Sequence, residues 1–275
     1  MSIASFIPKV WSARLLEGLH SQLVLGRLCN RSWEGEIREF GDTVHINSLS
    51  DVTVHPYVPG EDLEDPEPLS GTDQTLTMEH GAYCNFYIRD VDAAQARADL
   101  MDAAMRTAAR CLAEDTEAYL LGVMRQGAGI RGTLSLSGGA YEALLTVKTE
   151  LDTRNVPRSG RRLVMPSSVE AELLRDARFA SAGGAIGERA LADGAIARAC
   201  GFDIYISNDL EDEILALTED GVTFAQQIIH METFRREKGF DDGVKGLCVC
   251  GAKVVQPDCV ALFTLTESAQ QGEGE

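Results

Sequence analysis

From Asp92 to Leu121 the chain contains neither proline nor glycine, and that run dictates one long helix. Asp92 followed by Gln95 forms a capping-box signature at its start. Met101, Met105, Ala108, Leu112, Tyr119 and Val123 recur at steps of three, four or seven, as one helical face requires. Carried to Gln126, about 34 residues make a rod of roughly 50 Å, long for a globular domain. Everything else in the chain has to pack along that rod or project from it.

The flanking segments differ in period. Residues 8–28 read as an amphipathic helix entered at Pro8, with Trp11, Leu15 and Leu19 on one face. It can dock on its own core or act as an arm on a neighbouring subunit. From Gly41 the period becomes two: Val44 and Ile46, Val52 and Val54, then Thr75–Ile88. Between these stretches lie Pro56, Pro59, Pro66 and Pro68 with Glu61, Asp62, Glu64, Asp65 and Glu67, and no Lys or Arg occurs from Asp51 to Glu79. Such a tip buries no core, so the reading is a long hairpin whose acidic end projects into solvent or onto a basic partner. His45, His55 and His80 then read as solvent-facing strand residues.

After the helix, the glycines and serines of 127–139 mark a hinge or boundary. Residues 140–244 read as a compact α/β region: a helix over Tyr141–Arg154, a strand over Arg162–Met165 stopped by Pro166, and a helix to Arg175 capped by Ser167 and Glu170. Strands over Phe202–Ser207 and Ile214–Leu217 follow, then a strand or helix through Ile229. Gly246–Val255 and Cys259–Leu265 close the chain as a β-pair before an acidic tail.

No reactive constellation stands out. Gly127-Ala128-Gly129-Ile130-Arg131-Gly132 matches G-x-G-x-x-G, but it follows a helix, whereas a pyrophosphate site needs it between strand and helix. Cys248 and Cys250 point to one strand face and read as buried small hydrophobes, not a zinc pair. No catalytic, cofactor-binding or metal-binding residues are assigned. The seven scattered cysteines read as reduced thiols. No run is apolar for the length of a membrane span, and Met1–Pro8 lacks the plan of a secretion signal. The net charge of −18 disfavours sequence-specific nucleic-acid reading.

The order of elements, with several short stretches, resembles the Hong Kong 97-type major capsid (coat) proteins of tailed bacteriophages. The stretches are Phe6–Leu16, Gly35-Glu36-Ile37 with Gly41-Asp42-Thr43-Val44, and Asp90–Gln95. Further on come Asn155-Val156-Pro157 before Gly160-Arg161-Arg162, Gly201–Asn208, and Gly243–Leu247 followed by Gly251–Val255. The resemblance implies an α+β capsid fold with an N-terminal arm (1–40), an extended β-hairpin loop (41–90), a peripheral domain with a spine helix (91–130 and 245–275) and an axial domain (131–244). It implies a non-enzymatic virion protein that self-assembles into pentamers and hexamers of an icosahedral head around double-stranded DNA, contacted non-specifically, in the host bacterial cytoplasm. A separate scaffolding protein and a portal are expected, since the arm starts at Met1, and a decoration protein is possible. There is no room for an inserted domain, and no residues match autocatalytic cross-linking. Inter-subunit contact is expected from Trp11 and from the acidic loop, Glu61, Asp62, Glu64, Asp65 and Glu67. Its target would be Arg158, Arg161 and Arg162 or Arg235, Arg236 and Lys238 of a neighbour. Alternatives are a nanocompartment shell with protein cargo and, from another class, a nucleotide-dependent enzyme using the 127–132 glycines.

Overall fold

The computed structural model describes residues 18–19, 23–34, 40–49, 53–57, 59, 68, 71–89, 100–176, 198–235 and 241–266. The architecture is a mixed α+β fold built, among the described residues, on two main sheets, a two-stranded hairpin and a long helix, α1 (Leu100–Gly127). The expected start of that helix at Asp92 lies outside the described residues. Its end is set by Arg131, whose guanidinium donates to the terminal carbonyls of Arg125 (2.5 Å) and Gln126 (2.9 Å). Met105, Ala108 and Leu112 are buried as their spacing requires, but further along the buried stripe rotates to Leu120, Leu121 and Met124, leaving Tyr119 and Val123 half-buried.

The larger sheet has strand order β4-β11-β8-β5-β7-β6. Its members are β4 (Ile130–Ser135), β5 (Arg162–Met165), β6 (Arg198–Ala199), β7 (Phe202–Ile206), β8 (Glu213–Leu217) and β11 (Val260–Thr266). The central strands are apolar on both faces, as strands covered on both sides must be. Alternate residues therefore feed two cores. Val164, Leu215, Leu217, Val260 and Leu262 join α1 and the arm residues Leu19, Leu23, Leu25 and Leu28. Leu163, Met165, Ile214, Ala216, Ala261 and Phe263 instead meet α2 (Ala140–Thr153) and α3 (Ser167–Arg175).

The smaller sheet, β3-β10-β9, comprises β3 (His80–Arg89), β10 (Asp241–Val254) and β9 (Val222–Arg235). Its inner face, with Val244, Cys248, Cys250 and Ala252, packs on α1. The antiparallel hairpin β1 (Thr43–Leu49) with β2 (Gly71–Thr77) covers part of the outer face, where Val44, Ile46, Leu76 and Met78 close on Ala225 and Val249.

Several expectations are corrected here. Thr75–Ile88 is not one hairpin strand: the chain leaves the hairpin at Met78, and β3 pairs with β10 instead. Residues 53–57 form no strand, and Val54 is exposed. The glycine-rich 127–139 stretch is no free hinge: it runs from the end of α1 through the strand β4, parallel to β11, into a 3-10 turn over Leu136–Gly138. The cap of α3 is Pro166, not Ser167; Asn208 accepts hydrogen bonds from both the Ser167 N–H (3.1 Å) and its hydroxyl (2.8 Å).

The glycines of 127–132 are packing positions. A Cβ on Gly127 would collide with Val254, one on Gly129 would sit 2.6 Å from the Pro257 carbonyl, and one on Gly132 would sit 2.9 Å from the Phe263 ring. Gly129 N–H also donates to that Pro257 carbonyl at 2.9 Å. Gly129→Ala is therefore expected to cost about 1–3 kcal/mol, read as a lower urea midpoint. NAD or ATP should leave the thermal transition of the wild type unmoved; a rise in it would restore the nucleotide reading.

Candidate assembly surface

The surface that could serve assembly begins where the hairpin meets α1. Gly41 N–H donates to the Met78 carbonyl and Met78 N–H donates to the Asp42 carbonyl, both at 3.0 Å, closing the hairpin's base. Beside it, His80 Nε2 lies 2.6 Å from Asp115 Oδ2 on α1. The imidazole stacks on the Tyr119 ring at 4.5 Å and 13°, and the Tyr119 hydroxyl donates to Glu79 Oε1 at 3.2 Å. Burial, reinforced by Glu79 and opposed by a backbone hydrogen bond at Ala252, pushes the Tyr119 phenol up to about 12, so it remains a donor. His80 is thus a clasp between hairpin and helix, not the solvent-facing strand residue expected from its position.

The arm is held equally firmly. Glu117, buried on α1, accepts hydrogen bonds from the N–H groups of Leu25 (2.9 Å, Oε2) and Gly26 (3.1 Å, Oε1). These donors open the 3-10 turn Leu25–Arg27, whose first N–H groups have no partner within the turn. Burial raises the Glu117 carboxyl above its ordinary range, against the lowering pull of the backbone donors at Leu25, Gly26 and Val24. Downstream, Asn30 bridges to Thr223 on β9. Sequence reasoning missed Glu117 and the His80 clasp. The signal for Glu117 was present: an acid inside the stripe that runs from Ala113 to Leu120 and Leu121.

The basic residues proposed as loop targets fall in different settings. Arg161 is 3% exposed and committed inside the subunit: it donates to the Val156 carbonyl (2.6 Å) and the Pro157 carbonyl (2.9 Å) and pairs with Asp152 at 2.8 Å. Asn155, at φ 58°, turns the chain after α2 so that those carbonyls face the guanidinium. Arg162 donates to the Leu28 carbonyl (2.7 Å) and to Glu219 (2.9 Å), tying the arm to β5. Arg158 pairs with Asp152 at 3.2 Å and stays 80% exposed. Arg235 ends β9 opposite Asp242. Trp11, Glu61, Asp62, Glu64, Asp65, Glu67, Arg236 and Lys238 lie outside the described residues.

Cys248 and Cys250 are buried on the α1 face of β10, as their spacing implied, and Gln226 Nε2 donates to Cys248 Sγ at 3.2 Å. Burial pushes the Cys248 thiol up to about 11. Among the described residues no group of three or more His, Cys, Asp or Glu is placed to hold a metal ion. No helix among them is long and apolar enough to cross a membrane.

Comparison with known proteins places this architecture among capsid shell subunits. A family model described as phage capsid protein matches residues 80–262, and the chain belongs to that family. It is a structural, non-enzymatic protein of the virion capsid. A chain in the structure of Mycobacterium phage Che8 is similar at 26% identity and TM-score 0.73, over 88% of this chain and 91% of that one. The capsid structure of cyanophage P-SCSP1u is similar at 16% identity and TM-score 0.70, over 90% and 89%. A virus-like particle from Pyrococcus furiosus is similar at 15% identity and TM-score 0.59, over 93% and 98%. No curated protein matches the sequence.

Proposed function

We propose that this chain is the major capsid protein of a tailed phage, with a Hong Kong 97-type fold, forming pentamers and hexamers of an icosahedral head around double-stranded DNA. The observation that supports the reading is the base of the hairpin fixed to α1 by His80–Asp115 and Tyr119–Glu79, an anchorage that a projecting loop of a shell subunit would need. In this reading residues 1–40 are the arm, 41–90 the extended loop, 91–130 with 245–275 the peripheral domain, and 131–244 the axial domain. A subunit charge of −18 suits a shell whose inner wall lets packaged DNA slide without adhering. Scaffolding protein, portal and any decoration protein are separate chains, and assembly takes place in the host bacterial cytoplasm.

Electron microscopy of the concentrated protein tests this. Closed shells, tubes or capsomer rings are expected; a monodisperse monomer, even with scaffold added, would overturn it. The likeness to the Pyrococcus furiosus particle favours one second reading, a compartment shell, and particles holding protein cargo in place of DNA would select it.

The acidic loop is proposed to lie on a neighbour's basic residues. Of Arg158, Arg161 and Arg162, Arg158 is the most exposed; Arg235, Arg236 and Lys238 form the other cluster. Reversing Glu61, Asp62, Glu64, Asp65 and Glu67 to Lys should lower particle yield at low salt while leaving the monomer's thermal transition in place. Unchanged yield would refute the contact.

A further inference from the structure

The β9–β10 ladder carries an irregularity that redirects two side chains. Cys248 pairs with Ile228 but Leu247 pairs with His230, so β9 holds one extra residue, Ile229, at that point. Before it, Phe224 packs on the α1 side and Ala225 lies on the outer face under the hairpin. Past it the parity is reversed: Met231 packs on the α1 side, while His230 and Glu232 reach the outer face. Bulges do this beside sites, where a side chain has to be turned toward a particular place. Along β3 exposure alternates as well, and Tyr83 and Asn85 are exposed on that same outer face.

Two cross-strand rows result. Tyr83, Leu247 and His230 pair across the three strands, and Asn85, Lys245 and Glu232 pair two residues further along. The rows lie about 7 Å apart, and each spans about 10 Å of sheet. Together they border a cavity of about 380 Å³, the size of a small-molecule site. Leu247 also packs against the hairpin core, so the cavity lies at the hairpin's margin, and Tyr83 stands 77% exposed on its β3 side. The first row offers flat or aliphatic surface: a phenol ring, a leucine and an imidazole. The second offers an amide, an ammonium and a carboxylate, which between them donate and accept. Lys245 Nζ lies 2.8 Å from Glu232 Oε2, so that row brings no net charge. An anion would meet the carboxylate and a cation the ammonium, and a wholly apolar ligand would cover both without giving either a partner. A neutral molecule with an apolar face and an edge of hydroxyls suits both rows, because a hydroxyl donates and accepts. A sugar ring has that form.

We propose that this cavity binds a neutral saccharide, with a ring face on Tyr83 and Leu247 and the hydroxyl edge on Asn85, Lys245 and Glu232. Every group involved belongs to one subunit, so the full chain can be titrated by calorimetry whether soluble or in particles. The probes are maltohexaose, cellohexaose, mannohexaose and N-acetylated chitohexaose. At least one should bind, with an affinity unchanged between low and high salt, as contacts to an uncharged ligand require. Tyr83→Ala should weaken that binding about tenfold and Tyr83→Phe should keep it, because the ring face and not the hydroxyl makes the contact. Asn85→Ala, at an exposed position, should weaken binding while leaving the thermal transition in place. Absence of binding by all four probes at millimolar concentration, or equal binding by wild type and Tyr83→Ala, would overturn the proposal. So would a Tyr83→Ala chain that loses particles while the wild type binds no saccharide, a result that would make this face a contact between copies.

Discussion

Glu117→Leu should destabilise the isolated subunit by several kcal/mol, the largest effect expected from a single side chain in α1. Leu is nearly the same size and suits the apolar stripe, so lost packing is not the reason. The N–H groups of Leu25 and Gly26 would stay buried with no acceptor, each at a cost of about 1–3 kcal/mol. Glu117→Gln keeps one acceptor oxygen and turns an amide N–H toward the other donor, so it should cost about half as much. The two variants differ again in pH dependence. Burial holds the folded carboxyl above its unfolded value, so the stability this group contributes is fully present below the unfolded pKa. It is lost as pH rises through the raised folded value. The neutral amide lacks that loss, and the gap between wild type and Glu117→Gln should narrow as pH rises above 4.5. Urea unfolding at a series of pH values checks both statements; a gap that widens with pH would contradict the assignment.

Arg161→Ala should be the second severe lesion, and it separates a folding role from an assembly role. Its guanidinium is the donor to two carbonyls at the turn after α2, and truncation leaves both short of a partner at about 1–3 kcal/mol each. Arg161→Lys should not rescue, because an ammonium cannot span two carbonyls and Asp152 with a planar fork. Arg158→Glu, at an exposed position, should leave the urea midpoint almost unchanged. The sign with pH is opposite to that of Glu117. Burial by itself would raise the Asp152 carboxyl, but the hydrogen bond and charge of Arg161, with Arg158 beside it, hold it below the usual carboxylate range. The contribution of the pair is present above the unfolded pKa and is lost as pH falls through the depressed folded value. If Arg161→Ala melted like wild type, the buried fork would have no structural role, and a contact to another subunit would become the better account of this arginine.

The long helix was legible because its evidence is local: no breakers and a repeating apolar face. So were α2, β5, β7 and β8, whose period and length are set by a few neighbouring residues. The junction at Met78 was not legible, since Leu76, Met78, Ala82, Cys84 and Phe86 keep one parity through the point where the strand changes partner. Pairing choice is a property of distant residues, and nothing between Thr75 and Ile88 marks it. The glycines at 127, 129 and 132 misled for a related reason. A glycine needed for flexibility and one needed for close approach look alike in sequence, and only the neighbours Val254, Pro257 and Phe263 tell them apart. The order of elements carried the family, whereas the clasp and the arm anchor came from contacts that bridge 35 to 92 positions of chain.

The strand order β4-β11-β8 also has a consequence for when the subunit becomes competent. β11 is the last of the described strands to leave the ribosome, yet it occupies the seam between β4 and the β8-β5-β7-β6 half, pairing Ala261 with Ile130 on one side and with Ala216 on the other. Until it arrives, β4 stands apart from the four strands β8-β5-β7-β6 and neither apolar layer is closed. Such long-range pairing is slow to form and sets in late. A nascent chain therefore closes both apolar layers of the larger sheet only when this last described strand takes its place between β4 and β8.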